Sequence, residues 1–193
     1  FGATSSSPLV ASSMSSMFNE LMEDTSIIEE QYNMVSGHWP KEYDEAVVVL
    51  TPNGGISDYM SYTMGLRDPA ELDAMVDQLL NDETIVTPSD SRSFSYEDLT
   101  SVSFKLVYAT DYYVHDEQYD VWTDKSGDKE YLKELVEAGE DIRVVGVIAP
   151  KDGATATALQ PGIYYSPALT NHLIQQASKT EIVQNQLADS SVN

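Results

Sequence analysis

The run Ala46-Val47-Val48-Val49-Leu50 restricts the fold of this 193-residue chain more than any other stretch. Successive side chains of a strand point to opposite faces, so a strand wetted on one side alternates apolar with polar residues. An unbroken apolar run of this length and composition suits a strand covered on both faces. Thr51-Pro52-Asn53-Gly54-Gly55 ends it with residues that favour turns. What precedes it is as marked: a glycine, a Trp-Pro pair and an acidic stretch in "SGHWPKEYDE". Pro40 fixes its own φ and restricts Trp39, so the strand is entered through a preset turn at Gly37, Trp39 and Pro40.

The other elements follow from periodicity. "IRVVGVIAP" gives a second buried strand, Ile142 to Ala149, and "GIYYS" a short one. Val102, Phe104, Leu106 and Tyr108 alternate with Ser103, Lys105 and Val107, and Tyr112 to Trp122 is a further extended segment, so these two are expected to pair antiparallel. "DPAELDAMVDQLL" is a helix with Asp68 as cap, Pro69 at its first position, Glu71 completing a capping box, and Leu72, Met75, Val76, Leu79 and Leu80 on one stripe. "DKEYLKELVEAGE" is a helix capped by Asp128 and ended by Gly139. Ser166-Pro167 opens a helix carrying Leu169, Leu173, Ile174 and Ala177, and a last helix begins near Thr180. The class is α+β, with helices and strands interspersed and no repeat of fixed period.

The Ser-rich opening reads as a linker that turns into a helix, because Met14, Met17, Phe18, Leu21 and Met22 fall on one helical stripe. Thioethers pack adaptably, so Met14 and Met17 suit a partner-binding face as well as the commoner use, packing on their own domain. Residues 1–25 are thus read as linker and amphipathic helix, and 26–193 as the α+β domain.

Composition narrows the function. Asp and Glu number 32 against 10 Lys and Arg, a formal charge of −22 that repels phosphate backbones and anionic headgroups, so nucleic acid is excluded as an expected partner. The acids are scattered among apolar periods, as solubility requires. With no cysteine there is neither a disulfide nor a thiolate metal site. No apolar run approaches the ~20 residues of a membrane helix. The start at Phe1 and the tail "LADSSVN" point to a segment of a longer parent chain.

The sequence carries no Walker loop, dinucleotide fingerprint, nucleophile elbow or zinc helix. His38, His115 and His172 show no spacing that would activate a nucleophile, although Ser166 and His172 are the pair to test if hydrolysis were observed. "DKSGDKEYLKEL" sets Asp124, Ser126, Asp128 and Glu130 at alternating positions, but Lys129 and Leu135 stand where a calcium loop needs Gly and Glu, so a turn followed by a helix cap is expected. No metal or cofactor site is therefore expected in this segment. Between Gly37 and Trp39, His38 suits a turn surface or a pH-sensitive contact. Trp39, Tyr112, Tyr113, Tyr119 and Trp122 suit either a core lining or a stacking platform for a sugar, with Trp122 a candidate for an interaction surface.

The stretch "QYNMVSGHWPKEYDEAVVVL", with its Gly37-His38-Trp39-Pro40 turn, Asp44-Glu45 pair and strand, resembles the entry to the extracytoplasmic core of FtsX/MacB-like ABC transporter permeases. His38 stands where Arg or Lys is more usual. "IRVVGVIAPKDGATATALQPGIYYSPALTNHLIQQA" looks like the family's late strand, loop, aromatic strand and Pro-initiated helix, and "ISDYMSYTMGLRDPAEL" is similar to a segment of large permeases from Gram-positive gut bacteria. The resemblance spans roughly residues 28–190. It implies a MacB-like domain with a mixed sheet, without chemistry of its own, on the extracytoplasmic face of the membrane. ATP would be bound by a separate ATPase that, with a second permease copy or paralogue, would be the partner, and the domain would couple ATPase-driven motion to a cargo or partner protein. A different expectation, drawn from the acidity and the aromatics of Tyr112 to Trp122, is a secreted or wall-attached module binding glycans or peptides.

Overall fold

In the computed structural model, which describes residues 16–86, 93–153 and 157–189, the run at 46–50 lies at the centre of a mixed sheet. The elements are β1 (Phe18–Glu20), α1 (Ser26–Gln31), β2 (Tyr32–Gly37), β3 (Glu45–Val49), α2 (Asp58–Thr63), α3 (Pro69–Leu80), α4 (Tyr96–Thr100), β4 (Ser103–Leu106), a 3-10 turn (Ala109–Tyr112), β5 (Tyr113–Asp116), β6 (Val121–Asp124), α5 (Lys129–Ala138), β7 (Glu140–Pro150), β8 (Gly162–Tyr165), α6 (Pro167–Ala177) and α7 (Glu181–Ala188). The large sheet runs β1-β8-β3-β7-β2, with β4 also paired to β7, and β5 and β6 form a separate hairpin. β3 is parallel to β7 and antiparallel to β8, so the class is α+β with a mixed sheet.

Each face of β3 is covered, as its sequence requires. Ala46, Val48 and Leu50 point into a cluster with Met60 and Met64 around α2, Leu99 of α4, Ile142, Val144, Ile163 and Leu169 of α6. Val47 and Val49 point the other way, onto Leu21, Ile28 of α1, Tyr32, Ile148, Leu159 and Tyr164. Val47, Val48 and Val49 are wholly buried. Each contributes about 1.5–3 kcal/mol of hydrophobic burial before entropy is counted.

β7 carries one irregularity that the rest of the fold uses. Ala46 pairs with Val144 but Val47 with Gly146, so Val145 is an extra residue in the ladder. Such a bulge reverses which face the following side chains reach. Accordingly Ile142 and Val144 belong to the first cluster, as does Val147 beyond the bulge, while Ile148 belongs to the second.

Several expectations are corrected. Phe18–Glu20 is a strand, parallel to β8, rather than part of a helix through Met22. The short stretch is extended because Ile163–Tyr165 offers a sheet edge, and Phe18 packs edge-on against Phe104. Met14 and the linker before it lie outside the described residues. β4 pairs with β7, not with the Tyr112–Trp122 segment, which folds on itself as the β5–β6 hairpin. At the start of α3, Asp68 accepts from the Ala70 amide at 3.0 Å, while Glu71 takes the Tyr62 hydroxyl at 3.3 Å instead of closing a capping box. The stripe of α3 is buried only at Leu72: Leu79 and Leu80 are exposed. The helices α5, α6 and α7 occupy the expected stretches, with Asp128 and Ser166 as caps and Gly139 just beyond α5.

Candidate functional site

The turn that introduces β3 is held from both ends. Gly37 has φ +76°, where L side chains are disfavoured, and a Cβ on it would lie 1.9 Å from the Val145 carbonyl oxygen. The same oxygen accepts the His38 amide at 3.0 Å. The turn thus docks on the bulge of β7, and glycine is the residue that permits the approach. Downstream, the buried carboxylate of Glu45 accepts the amides of Lys41 and Glu42 at 2.8 and 3.1 Å, and Asp44 pairs with Arg143 at 2.8 Å. The acidic pair of the sequence therefore has two separate tasks: Glu45 winds the loop back onto its own strand, and Asp44 ties it to β7. Trp39, half-buried, packs on the second core cluster, and the His38 ring meets the Trp39 carbonyl at 2.9 Å.

At the start of β7, beside the same loop, four residues from distant parts of the chain meet. Tyr43 donates to Glu140 Oε2 at 2.9 Å, and Tyr108 donates to Glu140 Oε1. His172 on α6 stacks on the Tyr43 ring at 3.8 Å and 13°, with its Nε2 2.9 Å from the Tyr108 oxygen and 3.4 Å from Glu140. Because the one proton of Tyr108 is given to the carboxylate, the contact at Nε2 requires a hydrogen on that nitrogen. The hydrogen bond from Tyr108 holds Glu140 below the usual glutamate range against the opposing effect of burial, helped by Tyr43 and His172. Burial first, and then Glu140, push the Tyr108 hydroxyl well above the ordinary tyrosine value; Glu140 likewise raises Tyr43. Both oxygens of Glu140 are engaged within the protein, and the quartet joins α6 to the loop before β3 and the segment after β4. Its members are 32 to 97 positions apart from Glu140, so no local spacing could have revealed it.

Ser166 does not approach His172 as a nucleophile would. Its hydroxyl is the cap of α6, accepting the Ala168 amide at 3.1 Å, and the residue is buried. Asp124 accepts the Ser126 amide at 2.8 Å and Asp128 the Tyr131 amide at 3.2 Å, the turn and cap that the sequence suggested. The Ser126 hydroxyl, and then its amide, hold Asp124 below the usual aspartate value, and the Tyr131 amide does the same for Asp128. Among the described residues no group of three or more His, Asp or Glu is placed to hold a metal ion, and no helix is long and apolar enough to cross a membrane.

The five candidate platform aromatics are divided. Trp39 belongs to the second core cluster, whereas Trp122 stacks on His115 within the hairpin at 4.7 Å and 17°. His115 also meets Asp120 at 3.0 Å and Glu181 of α7 at 3.6 Å. Tyr113 and Tyr119 are exposed, Tyr119 at 69%, and Met17 is partly buried beside β8, its carbonyl accepting the Ile163 amide at 2.8 Å. Comparison of the chain with protein-family models, with curated proteins and with solved structures gave no match.

Proposed function

We propose that this chain is a non-catalytic extracytoplasmic domain of an FtsX/MacB-like ABC transporter permease, coupling the motion of a separate, ATP-binding ATPase to a cargo or partner protein. The observation that carries the reading is the convergence of its two signature stretches. "SGHWPKEYDEAVVVL" and "IRVVGVIAP" lie about a hundred residues apart, as the 99-position separation of Asp44 and Arg143 measures, yet form adjacent parallel strands β3 and β7. The Gly37-His38 turn of the first docks on the bulge of the second. Residues that look like a family signature thus serve one mechanical unit, a stiff sheet whose polar groups are spent on internal ties at Glu45 and Glu140. Such a unit transmits displacement without deforming, because packed interiors resist compression.

The reading needs membrane helices supplied by flanking sequence, a second permease copy or paralogue, and exposure outside the cell. Accessibility tests it directly, since the chain has no cysteine of its own. In the complete parent protein, Glu134→Cys, on the exposed side of α5, is expected to react with a membrane-impermeant maleimide on intact cells, and an ATPase is expected to co-purify. Labelling only after lysis would overturn the assignment.

A further inference from the structure

We infer that the outer face of the β5–β6 hairpin is a docking surface for a cationic, partly apolar peptide segment. The register places Tyr113, His115, Trp122 and Asp124 on one face of this two-stranded sheet and Val114, Asp116, Val121 and Thr123 on the other. On the first face His115 lies on Trp122 and is held between Asp120 and Glu181 of α7, while Tyr113 beside it is 41% exposed. The second presents Val114 at 39% and Val121 at 49% exposure to solvent, with Tyr119 at the turn. A two-stranded hairpin is marginal by itself in water, and β-branched apolar residues on a wet face gain from being covered.

Charge selects what covers it. Between Lys105 and Lys125 the chain carries Asp111, Asp116, Glu117, Asp120 and Asp124 and no lysine or arginine. A second copy of a chain with formal charge −22 would bring like charge against like, and so would a nucleic acid or an anionic lipid surface. A segment of Lys or Arg interleaved with apolar residues satisfies both features at once: its apolar side chains cover Val114 and Val121, and its cations meet Asp116 on the same face, Glu117 next to it and the open face of Tyr119. This surface stands on the hairpin alone and holds whether or not the permease reading does.

The test is titration of the chain, followed by amide NMR, with an alternating lysine–leucine peptide, its glutamate–leucine counterpart and polylysine. Binding of the lysine–leucine peptide is expected, with shifts centred on Val114, Tyr119 and Val121, and weaker binding of the other two. Glu117→Lys and Val121→Thr, both at exposed positions, are each expected to lower its affinity about tenfold or more, while Glu30→Lys on α1, with the same change of net charge as the first, leaves it unchanged. Unchanged spectra outside the hairpin establish that the variants fold. No binding, equal binding of polylysine, or equal loss with Glu30→Lys would overturn the proposal, the last two by reducing it to the charge of the whole chain.

Discussion

Beside the large sheet and within the small hairpin a histidine stacks on an aromatic ring and faces carboxylate, yet the two arrangements differ in consequence. His172 lies on Tyr43 beside Glu140, whose two oxygens also receive tyrosine hydroxyls, and it joins α6 to the sheet. His115 lies on Trp122 beside Asp120 and Glu181, whose side chains are 92% and 62% exposed. The same residue types make a tie in one place and a solvated edge in the other. The difference comes from what surrounds them: two further donors on one carboxylate in the first case, water on both in the second.

If the large sheet is the rigid part, the greatest loss belongs to the residue that lets its entry turn approach β7. Gly37→Ala forces a Cβ against the Val145 carbonyl in a backbone region unfavourable to alanine, and is expected to cost more than about 3 kcal/mol in urea unfolding. A cost under about 1 kcal/mol would mean that the bulge yields. Next in size is a paired truncation. Val48→Ala, at a wholly buried position, is expected to cost about 2–3 kcal/mol, and Val114→Ala on the hairpin no more than about 0.5. Equal costs would erase the contrast between the two sheets.

How far each region could be read in advance follows the same division. β3 and β7 were legible because burial on both faces writes itself into uninterrupted apolar runs. The caps of α5 and α6 were legible because Asp128 and Ser166 act within three residues of themselves. The helical spacing of Met14, Met17, Phe18, Leu21 and Met22 does not decide their structure, because Phe18 of the stripe lies in a short strand that only the edge of β8 draws out. The partner of β4 is hidden for a like reason: alternation states that a strand has two faces, not which strand lies beside it. α4, only five residues long, is too short to show a helical period, although Ser95 and Asp98 form a capping box. Of the candidate sites, the turn at Gly37, Trp39 and Pro40 was visible locally, whereas the quartet at Glu140 is made by tertiary contact alone.

The acid dependence of the two carboxylate sites separates them further. Glu140 is held below the ordinary glutamate value in the fold, so its contribution is fully present above that value and disappears as pH falls through the depressed one. Glu140→Gln is therefore expected to cost about 1 kcal/mol near neutrality, allowing for a side chain that is 39% exposed, with the gap between variant and wild-type melting curves closing below the usual glutamate range. A gap that persists there unchanged would assign the loss to packing rather than to the charge.

The smallest effect is expected where the carboxylate is most open. Glu181 reaches the His115 ring at 3.6 Å with 62% of its side chain in solvent, so ordinary salt screens the contact and ordering the side chain offsets much of what remains. Glu181→Gln is expected to change unfolding free energy by no more than about 0.3 kcal/mol, less than Glu140→Gln by a factor of about three. The measurement is a pair of urea titrations at low and moderate salt. If the Glu181 variant lost as much as the Glu140 variant, α7 would be fastened to the hairpin as firmly as α6 is to the sheet. The hairpin would then belong to the rigid unit, and its open face would be presented to a partner by a fixed support rather than by a solvated edge.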